Sequence, residues 1–121
     1  MLSVARSRSD LVRTSGFRFE LLDSAHLVQE GQAMRHCVAT YSSRCARGAS
    51  AIWSLQRRRG AEGAARSVLT IEVDPSQATI VQIRGPANRR ARGWPLGPVR
   101  AWAARERIGF SPLVEAEVAA D

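Results

Sequence analysis

The chain's 121 residues are enough for one domain whose core needs no disulfide or metal staple. No apolar run approaches the roughly 20 residues that span a bilayer, and "MLSVARSRSD" has no continuous apolar segment that would make a signal peptide. Two cysteines are too few for the disulfide framework of a small secreted domain, so reduced thiols in a cytoplasmic protein are expected, with no membrane contact.

The net charge of +7 comes from 18 arginines and no lysine. A compositional bias would also exclude lysine, so the placement of the arginines says more than their number. They bunch at Arg57, Arg58 and Arg59 and again at Arg89, Arg90 and Arg92. Clustered guanidinium groups attract phosphates, and nucleic acid is therefore the expected partner.

In chain order, residues 1–15 alternate Arg and Ser without apolar periodicity and read as a flexible basic arm. "FRFELL" alternates as a half-buried strand does, with Phe17, Phe19 and Leu21 on one face and Arg18 and Glu20 on the other. Asp23 or Ser24 can cap the helix "AHLVQE", with Gly31 marking its end or a kink. A second helix is expected from about Gln32 to Arg47, stopped by Gly48. Strands "AIWSLQ", "SVLTIEV" and "TIVQIR" follow, the last two joined by the turn "DPSQ". "GPANRRARGWPLGP" is too rich in Gly, Pro and Arg to be regular. "VRAWAARERIGF" reads as a last helix with Val99, Trp102 and Ala103 on one face, and residues 111–121 as a tail. The order predicts an α+β domain over residues 16–110: a strand and helices, a three-strand antiparallel meander, then a helix. Parallel strands are not expected, for want of crossovers.

The segment "EGQAMRHCVATY" holds a histidine, a cysteine and the only tyrosine within six positions. On a helix, Met34, Cys37, Val38, Tyr41 and Cys45 share one stripe, while His36 lies on its flank. Cys37 reads as a small buried hydrophobe, and Tyr41 as either a core ring or a functional group. His36 is the residue least explained by packing, and neutral imidazole can serve as acid, base or donor. Metal binding is not expected, because neither a C-x-x-C nor an H-x-x-x-H pair is present. No cofactor is expected either.

Strand alternation places Trp53, Leu55, Leu69, Ile71, Val73, Val81 and Ile83 on one face. The opposite face then carries Ile52, Ser54, Gln56, Val68, Thr70, Glu72, Ile80, Gln82 and Arg84, half apolar and half polar. Such a face fits either a partly covered polar cleft or an ordinary amphipathic sheet. "RGPANRR" suits a tight turn that offers main-chain N–H groups and arginines to an anion.

The ordered segments "EGQAMRHCVATYSSRCARGASAIWSL", "LTIEV" and "IVQIRGPANR" resemble the core of the PcfJ-like proteins, encoded in conjugative-plasmid and related mobile or phage-derived regions. The resemblance spans about Leu21 to Arg90. By position the family pattern falls on Gly31, His36, Cys37, Tyr41, Gly48, Ser54, Thr70, Glu72, Gln82, Gly85 and Asn88, and it implies a mobile-element context with a site at these positions.

Three functions fit. One is a nucleic-acid-binding domain using Arg57, Arg58, Arg59, Arg84, Asn88, Arg89 and Arg90. The next is a small metal-independent nuclease with His36, Tyr41, Ser54 and Gln82 as catalytic candidates, in outline like the small ribonuclease toxins. The last is an interaction subunit that binds a protein and no nucleic acid. If the nuclease site exists, His36 and Tyr41 must converge with Ser54 and Gln82.

Overall fold

The computed structural model describes residues 17–34, 50–58 and 65–120. His36, Cys37, Tyr41, Cys45, Gly48 and Arg59 lie outside the described residues, as do the arm 1–15 and most of the expected second helix. The required convergence of His36 and Tyr41 with Ser54 and Gln82 lies outside them for the same reason.

Five strands form one sheet in sequence order: β1 (Phe17–Leu21), β2 (Ala51–Arg58), β3 (Ala65–Asp74), β4 (Thr79–Arg84) and β5 (Gly109–Phe110). The first four are antiparallel neighbours, so the expected meander is widened by β1 at one edge. At the other edge β5 runs parallel to β4, pairing Thr79 with Gly109 and Ile80 with Phe110. This corrects the expectation of no parallel pair: the helix after β4 supplies the crossover.

Helix α1 (Ser24–Met34) is capped by Asp23, whose carboxylate accepts the backbone N–H of His26 at 2.9 Å. It runs through Gly31, which is buried and neither ends nor interrupts it. Helix α2 (Leu96–Glu106) starts earlier than the periodicity suggests and stops sooner. Arg107 adopts a left-handed conformation (φ 60°), and the N–H of Ile108 returns to the Ala103 carbonyl at 2.8 Å, closing the last turn. The segment read as a tail contains helix α3 (Pro112–Ala119), capped by Ser111, whose hydroxyl accepts the N–H of Val114. Val114 and Val118, one turn apart, bury that helix against the core. No helix among the described residues is long and apolar enough to cross a membrane.

The main core lies between one sheet face and α2 with α3. Phe19, Trp53, Leu55, Leu69, Ile71, Val73 and Ile83 meet Val99, Trp102, Ala103, Val114 and Val118. The Phe19 and Trp102 rings stack at 4.7 Å, and Trp53 tilts against Trp102 at 5.2 Å.

Two bulges revise the facial assignment. Between β3 and β4, Glu72 pairs with Gln82 but Val73 pairs with Ile80, leaving Val81 as the extra residue. Ile80 therefore joins the core, and Val81, expected there, is only half-buried. Between β2 and β3, Leu55 pairs with Leu69 and Gln56 with Ser67, so Val68 is the extra residue and Ser67 moves to the opposite face.

Candidate functional site

That opposite face is covered by α1. Leu27 of the helix packs on Ile52 and Leu22 as a small apolar cluster. Beside it Glu30 is buried, 3 % exposed, with its carboxylate against the strands. Its Oε1 accepts hydroxyl hydrogens from Ser54 at 3.0 Å and Ser67 at 2.5 Å, and its Oε2 accepts one from Thr70 at 2.7 Å. Three hydroxyls from two strands thus replace the water that a carboxylate loses on burial. The network continues outward through Gln56, whose Nε2 donates to Glu20 at 3.0 Å and to Ser54 at 3.2 Å. The Gln56 carbonyl in turn accepts from the Arg18 guanidinium. Glu72, one residue pair along, is a second buried carboxylate and accepts the Ser50 hydroxyl at 2.7 Å. Over the outer part of this network opens a polar cleft of about 630 Å³, with Arg18, His26, Gln29, Gln56 and Arg66 in its lining.

Ser54, a catalytic candidate from the sequence, is fully buried and its hydroxyl hydrogen is committed to Glu30. The geometry makes it a donor that fastens α1 to the sheet. Gln82 is half-buried on β4 opposite Glu72 and does not line the cleft over Glu30. Glu30 and Ser67 were absent from the sequence candidates. Glu30 opens the family-like "EG" pair, which was the available signal, whereas Ser67 is brought over by a bulge that alternation does not reveal.

A second cleft, of about 700 Å³, lies where the chain leaves β4. The backbone folds back after Arg84: the Gly85 N–H donates to the Arg89 carbonyl at 2.7 Å, and Arg84 bridges to Arg90. Between them Pro86–Asn88 forms a 3-10 turn, with Asn88 at φ 62°, a conformation asparagine tolerates better than most residues. The tight turn read from "RGPANRR" is therefore formed, and it leaves Arg89 and Arg90 exposed. Arg89, Arg90 and Arg92 line the cleft with Val68, Leu69 and Trp94, and no carboxylate belongs to the lining.

The other basic candidates divide. Arg84 is half-buried and pairs with Glu117 of α3 at 3.4 Å. Arg57 is exposed, with its guanidinium 5.4 Å from the Trp94 ring centroid and 5.9 Å from that of Phe17. Arg58 ends β2, and Asn88 is exposed on the turn outside the cleft lining. No group of three or more His, Cys, Asp or Glu side chains suited to a metal comes together among the described residues.

A mostly antiparallel five-stranded sheet, clamped by a helix carboxylate on one face and carrying a basic cleft where β3 begins and β4 ends, defines a small α+β domain. The chain belongs to the PcfJ-like protein family, whose pattern matches residues 5–93. No curated protein and no solved structure gives a match.

Proposed function

We propose that this PcfJ-like domain binds nucleic acid along the cleft lined by Arg89, Arg90 and Arg92, within the mobile-element setting its family implies. One observation carries the reading: three arginines, Arg89, Arg90 and Arg92, line a single concave surface whose lining holds no carboxylate. None of the three makes an ion pair with a described acidic residue, whereas Arg18 and Arg84 sit beside Glu20 and Glu117. Planar guanidinium forks match phosphate oxygens, and a concave basic surface raises the local concentration of a polyanion.

The same cleft favours holding over cutting. Its lining contains no histidine, and the one hydroxyl-bearing side chain in it, Ser67, donates to Glu30. The test is an affinity titration with labelled RNA and DNA across a salt series, with and without chelator. Log affinity should fall linearly with log salt, and Arg89→Ala with Arg90→Ala should flatten the slope by roughly 1 to 2 units. An unchanged slope removes these arginines from the interface, and cleavage of the strand refutes a purely binding role.

A further inference from the structure

We infer that Trp94, braced by Phe17 and Arg57, is a stacking platform for an unpaired nucleobase, so that the ligand of the basic cleft is a single strand. The inference rests on the basic-cleft reading above and adds the strandedness of the ligand. The chain has three tryptophans, and two of them, Trp53 and Trp102, are 1 % exposed in the core. Trp94 is 51 % exposed, although it is the side chain with the most apolar area to hide.

Its position is nevertheless well determined. The ring leans on Phe17 with centroids 5.3 Å apart and planes inclined by 32°. Its backbone sits in the turn that starts α2, where Gly93 takes a positive φ of 80° and the Gly97 N–H donates to the Trp94 carbonyl at 3.1 Å. A ring held in place from two sides loses little freedom when a ligand stacks on it.

Charge and aromatic surface meet here in the arrangement that a single strand needs. Trp94 lines the same cleft as Arg89, Arg90 and Arg92, which track the backbone, while Arg57 lies over both rings. The Arg57 guanidinium is itself a planar, weakly hydrated surface on which a base can stack. A base inside a duplex has both faces covered and only the terminal pairs keep one open, so a duplex can use the platform only at its ends or by being unstacked. An acidic peptide could satisfy the arginines, but only a nucleic acid supplies a planar ring with every negative charge, which is why nucleic acid is favoured.

The experiment compares oligo(U), oligo(dT) and a blunt DNA duplex of equal length by anisotropy, with polyglutamate as competitor, and follows tryptophan emission with acrylamide as quencher. Because Trp53 and Trp102 are sealed, a change in quenching reports on Trp94. Either single strand should shield Trp94 from acrylamide and bind more tightly than the duplex. Trp94→Ala should weaken that binding by about 5- to 150-fold without altering the salt slope, while Trp94→Phe keeps most of the affinity. The Phe variant guards against a folding defect, since it keeps a ring on Phe17. Salt-dependent binding that is indifferent to Trp94, or equal affinity for the duplex, overturns the platform and leaves the basic cleft standing. Displacement by polyglutamate with the same Trp94 dependence also overturns it. Binding of no nucleic acid at all overturns both readings.

Discussion

The two faces of the sheet are built from alternate residues of the same strands, yet they are buried by different physics. Towards α2 and α3, Trp53, Leu55, Ile71 and Ile83 disappear into a continuous apolar core. Towards α1, Ser54, Thr70 and Ser67 surround the Glu30 carboxylate, and among the described residues Leu22, Leu27 and Ile52 form a small apolar cluster beside it. Apolar packing is additive and weakly directional, whereas the Glu30 network needs every donor in place at once. The first face mainly stabilises. The second fixes where α1 sits.

Substitutions can separate these two modes. The largest expected effect is on the apolar face: Trp102→Ala removes the ring that stacks on Phe19 and touches Trp53, and should cost about 3–5 kcal/mol in denaturant unfolding. A loss under about 1 kcal/mol would mean that α2 is not docked as described. Next comes Glu30→Ala. It removes the carboxylate that Ser54, Ser67 and Thr70 share as acceptor and should cost about 2–3 kcal/mol. Glu30→Gln keeps the shape and one carbonyl oxygen, so it should cost roughly half as much. Amide exchange gives the sharper contrast: the Glu30 variants should open α1 locally while β3 and α2 stay protected. Uniform loss of protection would make the two faces one cooperative unit.

Much of this division is legible in the sequence, and the exceptions have definite causes. Phe17, Phe19 and Leu21 alternate with Arg18 and Glu20 as β1 requires, and Val99, Trp102 and Ala103 mark the buried side of α2. Ile80 and Ser67 change sides because a single inserted residue, Val81 or Val68, resets a period of two, and nothing in the local pattern announces the insertion. β5 is two residues long, too short for any periodicity. In α3 the Ser111–Pro112 start was a readable signal that composition obscured. Glu30 was hidden for another reason. Its partners lie 24 to 40 positions away, so its burial follows from topology and not from its neighbours. Trp94 could have been suspected from "ARGWPLGP", but only the placement of Phe17 and Arg57 turns an irregular loop into an aromatic surface.

The smallest expected effect concerns a carboxylate that contrasts with Glu30. Asp74 ends β3 and accepts only local hydrogen bonds, from the Ser76 hydroxyl at 2.7 Å and from the N–H groups of Ser76 at 3.0 Å and Gln77 at 3.4 Å. The Ser76 hydroxyl bond above all holds the Asp74 carboxyl below the usual aspartate range; loss of water opposes it, and the backbone N–H bonds of Gln77 and Ser76 add to the lowering. A folded-state pKa below the unfolded one means that the turn's contribution is fully present above the unfolded value and is lost as pH falls through the folded value. The group is solvated, so the contribution should be minor, and Asp74→Asn should slightly reduce stability at neutral pH while flattening the acid limb of the stability curve. An NMR titration checks the cause directly: Asp74 should titrate at lower pH in the wild type than in Ser76→Ala. Equal midpoints would show that the turn's hydrogen bonds are not held in solution. Because this turn is built from residues three or fewer apart, its loss should leave α1 in place. A turn variant that released α1 would instead tie the hairpin to the Glu30 face, and the two faces could no longer be treated as separately held.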